Sequence, residues 1–268
     1  MPAGAPRKER KNMLEYIDSH AHYDAEQFDP DRDELLERIH NAGVRNIVNM
    51  GCNMERSRLS VEYSEKYPFV YAAVGIHPED VEGTPADYLD SLKKWAELPK
   101  TVAIGEIGLD YHYEGYDSEL QKKIFTEQLD LAEELSLPVV IHSRDAGGDT
   151  MNILRARKTV NGVMHCFSGS AETARQVLSL GMNISFTGVL TFKNARKAIE
   201  ALETVPLERL MLETDCPYMA PEPNRGKRCD SSMIIYIIQK IAEVKGVSPE
   251  LVAKQTTENT LKLFNKIR

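Results

Sequence analysis

Ile17-Asp18-Ser19-His20-Ala21-His22 places two imidazoles two residues apart near the start of a 268-residue chain. On an extended strand alternate side chains share a face, so His20 and His22 can enter one pocket and share one metal ion. A lone His-x-His pair is weak evidence, because short motifs often match by chance. The rest of the chain adds weight to it. His77 comes after an apolar run, Glu106 lies inside another, His142 and His165 end two more, and Asp215 succeeds a last one. Of the seven histidines, only His40 and His112 fall elsewhere, in a helical pattern and a loop.

Neutral imidazoles and carboxylates are good ligands for Zn, Mn, Fe, Co or Ni. His20, His22, His142 and His165, with Glu106 and Asp215, exceed what one tetrahedral ion needs. Two divalent ions roughly 3.5–4 Å apart are therefore expected. Glu106 would bridge them, His20, His22 and Asp215 would serve one ion, and His142 and His165 the other. Such a pair generates hydroxide near neutral pH and stabilises attacking and leaving oxygens, which points to hydrolysis. Four imidazoles suit a transition metal better than magnesium.

The elements that must deliver these residues can be read from periodicity. Short apolar runs at 14–19, 44–50, 69–76, 102–107, 139–141, 162–164, 182–186 and 209–212 read as strands. Helical patterns fall between them, at 31–42, 55–67, 86–98, 118–137, 150–157, 171–180 and 194–203, with more at 231–244 and 249–267. Strands that are apolar on both faces and alternate with helices predict a parallel sheet. Eight units in one chain, with no G-x-G-x-x-G after the first strand, predict a single-domain (β/α)8 TIM barrel whose metal site lies at the C-terminal mouth. No linker divides residues 14–268, and the polar, basic residues 1–13 read as a flexible tail.

Composition sets the outer limits. A net charge of −8 argues against a general basic surface for nucleic acid, but does not govern pocket chemistry. No stretch approaches the ~20 apolar residues of a membrane helix. The four cysteines form no C-x-x-C and no apolar signal peptide opens the chain, so a reducing, cytoplasmic setting is expected.

Neighbours of the ligands suggest substrate contacts. Arg144 lies two residues beyond His142 and can clamp a phosphate bidentately. Arg225, with Lys227 and Arg228, forms a basic patch after the last strand, where such barrels often hold phosphates. Tyr111 and Tyr113 can stack on bases, or pack beneath their loop. Glu213 can orient Asp215, or satisfy a polar contact inside the barrel. Cys166 and Cys216 adjoin ligands but, by the period of two, should point away into the core.

Six blocks together carry a resemblance. They are Asp18-Ser19-His20-Ala21-His22, Gly75-Ile76-His77-Pro78, Gly105-Glu106-Ile107-Gly108-Leu109-Asp110-Tyr111, Ile141-His142-Ser143-Arg144-Asp145-Ala146, His165-Cys166-Phe167-Ser168-Gly169 and Glu213-Thr214-Asp215-Cys216-Pro217-Tyr218. In this order they resemble the signature blocks of TatD-type metal-dependent deoxyribonucleases of the amidohydrolase superfamily. The resemblance runs over 14–268 and includes Thr256-Thr257-Glu258-Asn259 and Leu263-Phe264. It implies a metallohydrolase acting on DNA phosphodiesters as a 3′-to-5′ exonuclease on single strands. It also implies metal ligands at His20, His22, Glu106, His142, His165 and Asp215, and it adds Mg2+ beside Zn2+ and Mn2+ as the expected divalent ions. In that reading Asp215 and Glu106 are catalytic, His77 and Arg144 hold the phosphate, and single-stranded DNA is the partner; the sequence is silent on oligomeric state, and a monomer is only one possibility. The chain departs from the family pattern at Arg225-Gly226-Lys227-Arg228-Cys229-Asp230-Ser231-Ser232, which lacks the usual amide and proline. The alternative is an amide or ester hydrolase such as a D-aminoacyl-tRNA deacylase. Many amidohydrolase barrels bridge their metals with a modified lysine; here Glu106 holds that strand end, which favours the nuclease branch.

Overall fold

The computed structural model describes residues 14–157 and 160–268, so the expected tail over 1–13 lies outside the described residues. Eight strands pair in chain order, every pair parallel. They are β1 (Tyr16–Ala21), β2 (Val44–Met50), β3 (Val70–Val74), β4 (Thr101–Asp110), β5 (Val139–Arg144), β6 (Gly162–Met164), β7 (Asn183–Phe186) and β8 (Leu210–Leu212). Between them run α1 (Arg32–Asn41), α2 (Met54–Lys66), α3 (Tyr88–Ala96), α4 (Ser118–Glu134), α5 (Gly147–Arg155), α6 (Ala171–Ser179) and α7 (Arg196–Thr204), with α8 (Ile234–Lys245) and α9 (Pro249–Leu263) closing the chain. The sheet rolls into the expected (β/α)8 barrel, and an Ala21–Cys216 bridge spans the seam between β1 and β8. There His22 N–H donates to Cys216 O at 2.8 Å and Asp215 N–H to His20 O at 3.0 Å, so the seam itself joins ligand positions.

Two apolar layers hold the barrel. Val48, Met50, Tyr71, Val140, Val163 and Met211 fill its interior, and Leu263, Phe264 and Ile267 at the chain's end close it from below. The opposite strand faces pack on the helices. Asp18 ties the seam, accepting from Thr214 N–H at 3.0 Å, Thr214 Oγ1 at 2.6 Å and Ser231 Oγ at 2.6 Å. Burial pushes its carboxyl up to about 7 despite these donors. Among the described residues no helix is long and apolar enough to cross a membrane.

Four local departures from the sequence pattern shape the site. β1 starts and ends two residues later than expected, which puts His20 on the strand and His22 just past it. A register shift between Asp18 and Ala21 marks a bulge there, and bulges re-aim side chains. β4 runs to Asp110 instead of ending at Ile107, because β5 continues beside it with Gly108 opposite His142 and Asp110 opposite Arg144. Only glycine fits at 108, where φ is +150° and a Cβ would lie 1.9 Å from His142 O. A second shift falls between Ile104 and Ile107, so both face the helices and Glu106 turns into the mouth.

Candidate metal centre

The strand ends bring the six expected ligands together at the mouth. Nε2 of His20 lies 3.1 Å from Nε2 of His22, 3.3 Å from Glu106 Oε2 and 3.6 Å from Asp215 Oδ1. Nε2 of His22 lies 3.6 Å from the same Glu106 oxygen and 3.3 Å from the same Asp215 oxygen. A tetrahedral ion with bonds of 2.0–2.2 Å has donor–donor edges of about 3.3–3.6 Å, so these four atoms have the spacing of a ligand cage.

A second set uses the other carboxylate oxygen. Glu106 Oε1 is 2.9 Å from His142 Nδ1 and 2.7 Å from His165 Nε2, and those two nitrogens are 3.2 Å apart. Three donors with an open side toward the cavity are the usual form of a catalytic metal site. His165 and His20 connect the sets by stacking, with ring centroids 4.0 Å apart and planes 8° from parallel.

Outer partners settle which ring nitrogen is available. Asp110 Oδ2 lies 2.9 Å from His142 Nε2, so the neutral ring keeps its proton there and leaves Nδ1 a free lone pair. Sequence reasoning missed Asp110 as an orienting group, although it shares a strand face with Glu106. His77 is the reverse case. Its Nδ1 accepts from Glu79 N–H at 3.2 Å, which leaves the proton on Nε2, 3.4 Å from Glu106 Oε1. His77 therefore presents a donor to the cavity.

Electrostatics fit the same picture. Burial would raise the Glu106 carboxyl, but His165, His77 and His20 hold it well below the usual range. Burial opposes charge on His165, yet Glu106 and Glu213 raise that ring well above the ordinary imidazole value. The buried carboxylates thus gather positive charge, and a cation of the right size meets the same field.

The remaining expected residues divide. His77 and Arg144 line the cavity of about 750 Å3 above the cage. Tyr111 does not: its hydroxyl donates to Asp149 at 2.9 Å and its ring stacks on Tyr116 at 4.6 Å. Arg225 also lies outside the lining, 4.4 Å over the Phe192 ring. Its neighbour Arg228 turns away to bond Asp31, which disperses the basic patch. Glu213 faces His165 Nδ1 at 3.6 Å and accepts from Cys166 N–H at 2.5 Å and Ser185 Oγ at 2.7 Å, so it braces the β6 end and not Asp215. Cys216 is in the core as expected, but Cys166 lines the cavity, because its φ of +42° breaks the alternation. Cys52, which no sequence motif singles out, is there too, 3.7 Å from His22 Nδ1; burial pushes its thiol up to about 12.

A cage of imidazoles and buried carboxylates at the C-terminal mouth of a (β/α)8 barrel is the arrangement of a metal-dependent hydrolase. Comparison with known proteins agrees with that class. The model of the TatD-related DNases matches residues 17–265. A metal-dependent hydrolase of Bacillus subtilis, YabD, is 43% identical over 250 residues, covering 92% of this chain and 98% of the relative. A protein of Rahnella named 3′-5′ ssDNA/RNA exonuclease TatD is 34% identical over 246 residues, covering 89% and 94%. The crystal structure of the Escherichia coli TatD homologue YJJV aligns with a TM-score of 0.89 at 31% identity, covering 94% and 98%. The chain belongs to the TatD-related DNase family.

Proposed function

We propose that the protein hydrolyses phosphodiester bonds of single-stranded DNA from the 3′ end, using two divalent ions held by His20, His22 and Asp215 on one side, His142 and His165 on the other, and Glu106 between. The observation that carries this reading is the division of Glu106, whose two oxygens face two separate donor sets. The name of the Rahnella relative supports the substrate and polarity. The four free thiols agree with a reducing, cytoplasmic setting.

When bound, the ions supply Lewis acidity and lower the pKa of water. The chain supplies the rest. The Asp215 side chain is 13% exposed against 4% for Glu106, so Asp215 is the carboxylate that meets solvent and takes the proton of the attacking water. His77 donates from Nε2 to a phosphate oxygen, and Arg144 clamps the phosphate from the β5 rim. Glu106 stays ionised between the two donor sets.

The test offers end-labelled single- and double-stranded oligonucleotides and D-aminoacyl-tRNA to the purified protein, with a chelator control and a Glu106→Ala variant. Stepwise release from the 3′ end of the single strand, lost in both controls, is expected. Nucleotide release that survives the variant would sink the mechanism, and ester hydrolysis without DNA cleavage would favour the deacylase reading.

A further inference from the structure

Five large apolar side chains are exposed among the described residues, and three of them stand at the mouth, the others being Tyr116 and Leu251. Tyr113 is 58% exposed and Tyr218 54%, with Met219 next to it at 40%. All three line the cavity above the cage. Tyr113 belongs to the loop after β4 and Tyr218 to the loop after β8. In a barrel whose strands run in order from β1 to β8, those loops are four strands apart and face each other across the mouth. A chain whose phosphate rests on the cage has one of these rings on either side of it.

Both rings are mounted, and both have a face to offer. The guanidinium of Arg144 lies 5.3 Å from the Tyr113 ring centroid and the ring of His112 meets it edge-on at 5.0 Å. The Tyr218 turn is braced against residues 188–191. Met219 O lies 2.2 Å from where a Cβ on Gly188 would be, and Glu222 N–H donates to Thr191 Oγ1 at 2.8 Å. The Tyr218 side chain itself makes no hydrogen bond or ring contact among the described residues. Charge around the rim is sided. Arg144 and Lys197 line the cavity on the β5 and α7 side and form no ion pair among the described residues, while Arg56 on α2 is paired with Asp24 and Glu79 and Asp80 line the cavity on the β3 side. A polyanionic backbone is drawn to the first side.

Building on the phosphodiesterase reading, we propose that Tyr113 and Tyr218 are stacking platforms for the two nucleotides that flank the scissile phosphate. Aromatic rings stack on any base, which gives affinity without sequence preference. In a duplex both faces of each base are already covered, so only a single strand with splayed bases can use the two rings. The preference for single strands then comes from these tyrosines and not from the metal cage.

The test measures binding of a short fluorescent single strand, with a hydrolysis-resistant linkage at its 3′-terminal step, to the metal-loaded protein. Tyr113→Ala and Tyr218→Ala should each weaken binding about tenfold, and the Phe variants should retain it. Each deficit should vanish when the nucleotide on the matching side is abasic. Alanine variants that bind the parent strand as tightly as wild type, or lose as much on the abasic strands, would overturn the proposal. If wild type leaves the cleavable strand intact, the phosphodiesterase reading falls, while the binding series still decides the role of the tyrosines.

Discussion

Glu106 reaches His165 with one oxygen only: Oε1 lies 2.7 Å from Nε2 of His165, while Oε2 turns to His20 and His22. One carboxylate therefore joins donors delivered by β1 with donors at the ends of β5 and β6. What holds each imidazole at its angle lies one layer further out.

Asp110 is the clearest such support, because it fixes the proton of His142 on Nε2. Asp110→Ala should weaken binding of the second ion by about 10–100-fold and leave the first ion largely unaffected. Calorimetric metal titration checks this, and equal losses at both sites would argue against the division of labour.

Arg144 forms no ion pair among the described residues, and its place on the cavity wall suits a phosphate. Arg144→Ala should raise KM for oligonucleotides by about tenfold or more, since hydrogen bonds to charged groups contribute roughly 1.5–3 kcal/mol. Arg144→Lys should recover only part, because a lysine cannot reproduce the bidentate fork. Metal content should stay at the wild-type level in both.

The barrel floor depends on the chain's last turn. Phe264 is fully buried beneath the strands. Phe264→Ala should cost about 3–5 kcal/mol of unfolding free energy by urea denaturation. A loss under about 1 kcal/mol would show that the plug is dispensable.

Lys100 gives a pH signature away from the cage. Its ammonium donates to the carbonyls of Ser64, Tyr67 and Pro68 at the end of α2, and burial pushes its pKa down to about 8. The unfolded chain then binds more protons than the folded one between pH 8 and about 10.4, so stability rises with pH across that window. The group is partly exposed and solvent screens the effect, so the slope should be shallow. Lys100→Met should abolish that rise when urea midpoints are compared at several pH values.

Much of the site is legible in the sequence because histidine is scarce and parallel strands end on one rim. His142 and His165 can be placed from apolar runs alone. The bulges are not legible. Ile104 and Ile107 are three apart yet face the same layer, and no alternation rule aims Glu106 inward between them. Cys166 escapes the same rule for a related reason, since a positive φ after β6 reverses its side. Proximity in sequence assigns Glu213 to Asp215, whereas its partners come from β7 and the β6 end. Arg225 and Arg228 look like one patch, but their contacts with Phe192 and Asp31 pull them apart. Local pattern reveals which residues reach the rim; partner choice depends on the turn of each neighbouring strand.

Metal stoichiometry tests the central claim most directly. Chelator-stripped protein titrated with Mn2+ or Zn2+ should take up two ions per chain, and Glu106→Ala should lose at least one of them. A wild-type protein that saturates at one ion, or a Glu106→Ala variant that still holds two at wild-type affinity, would contradict a centre divided by this carboxylate.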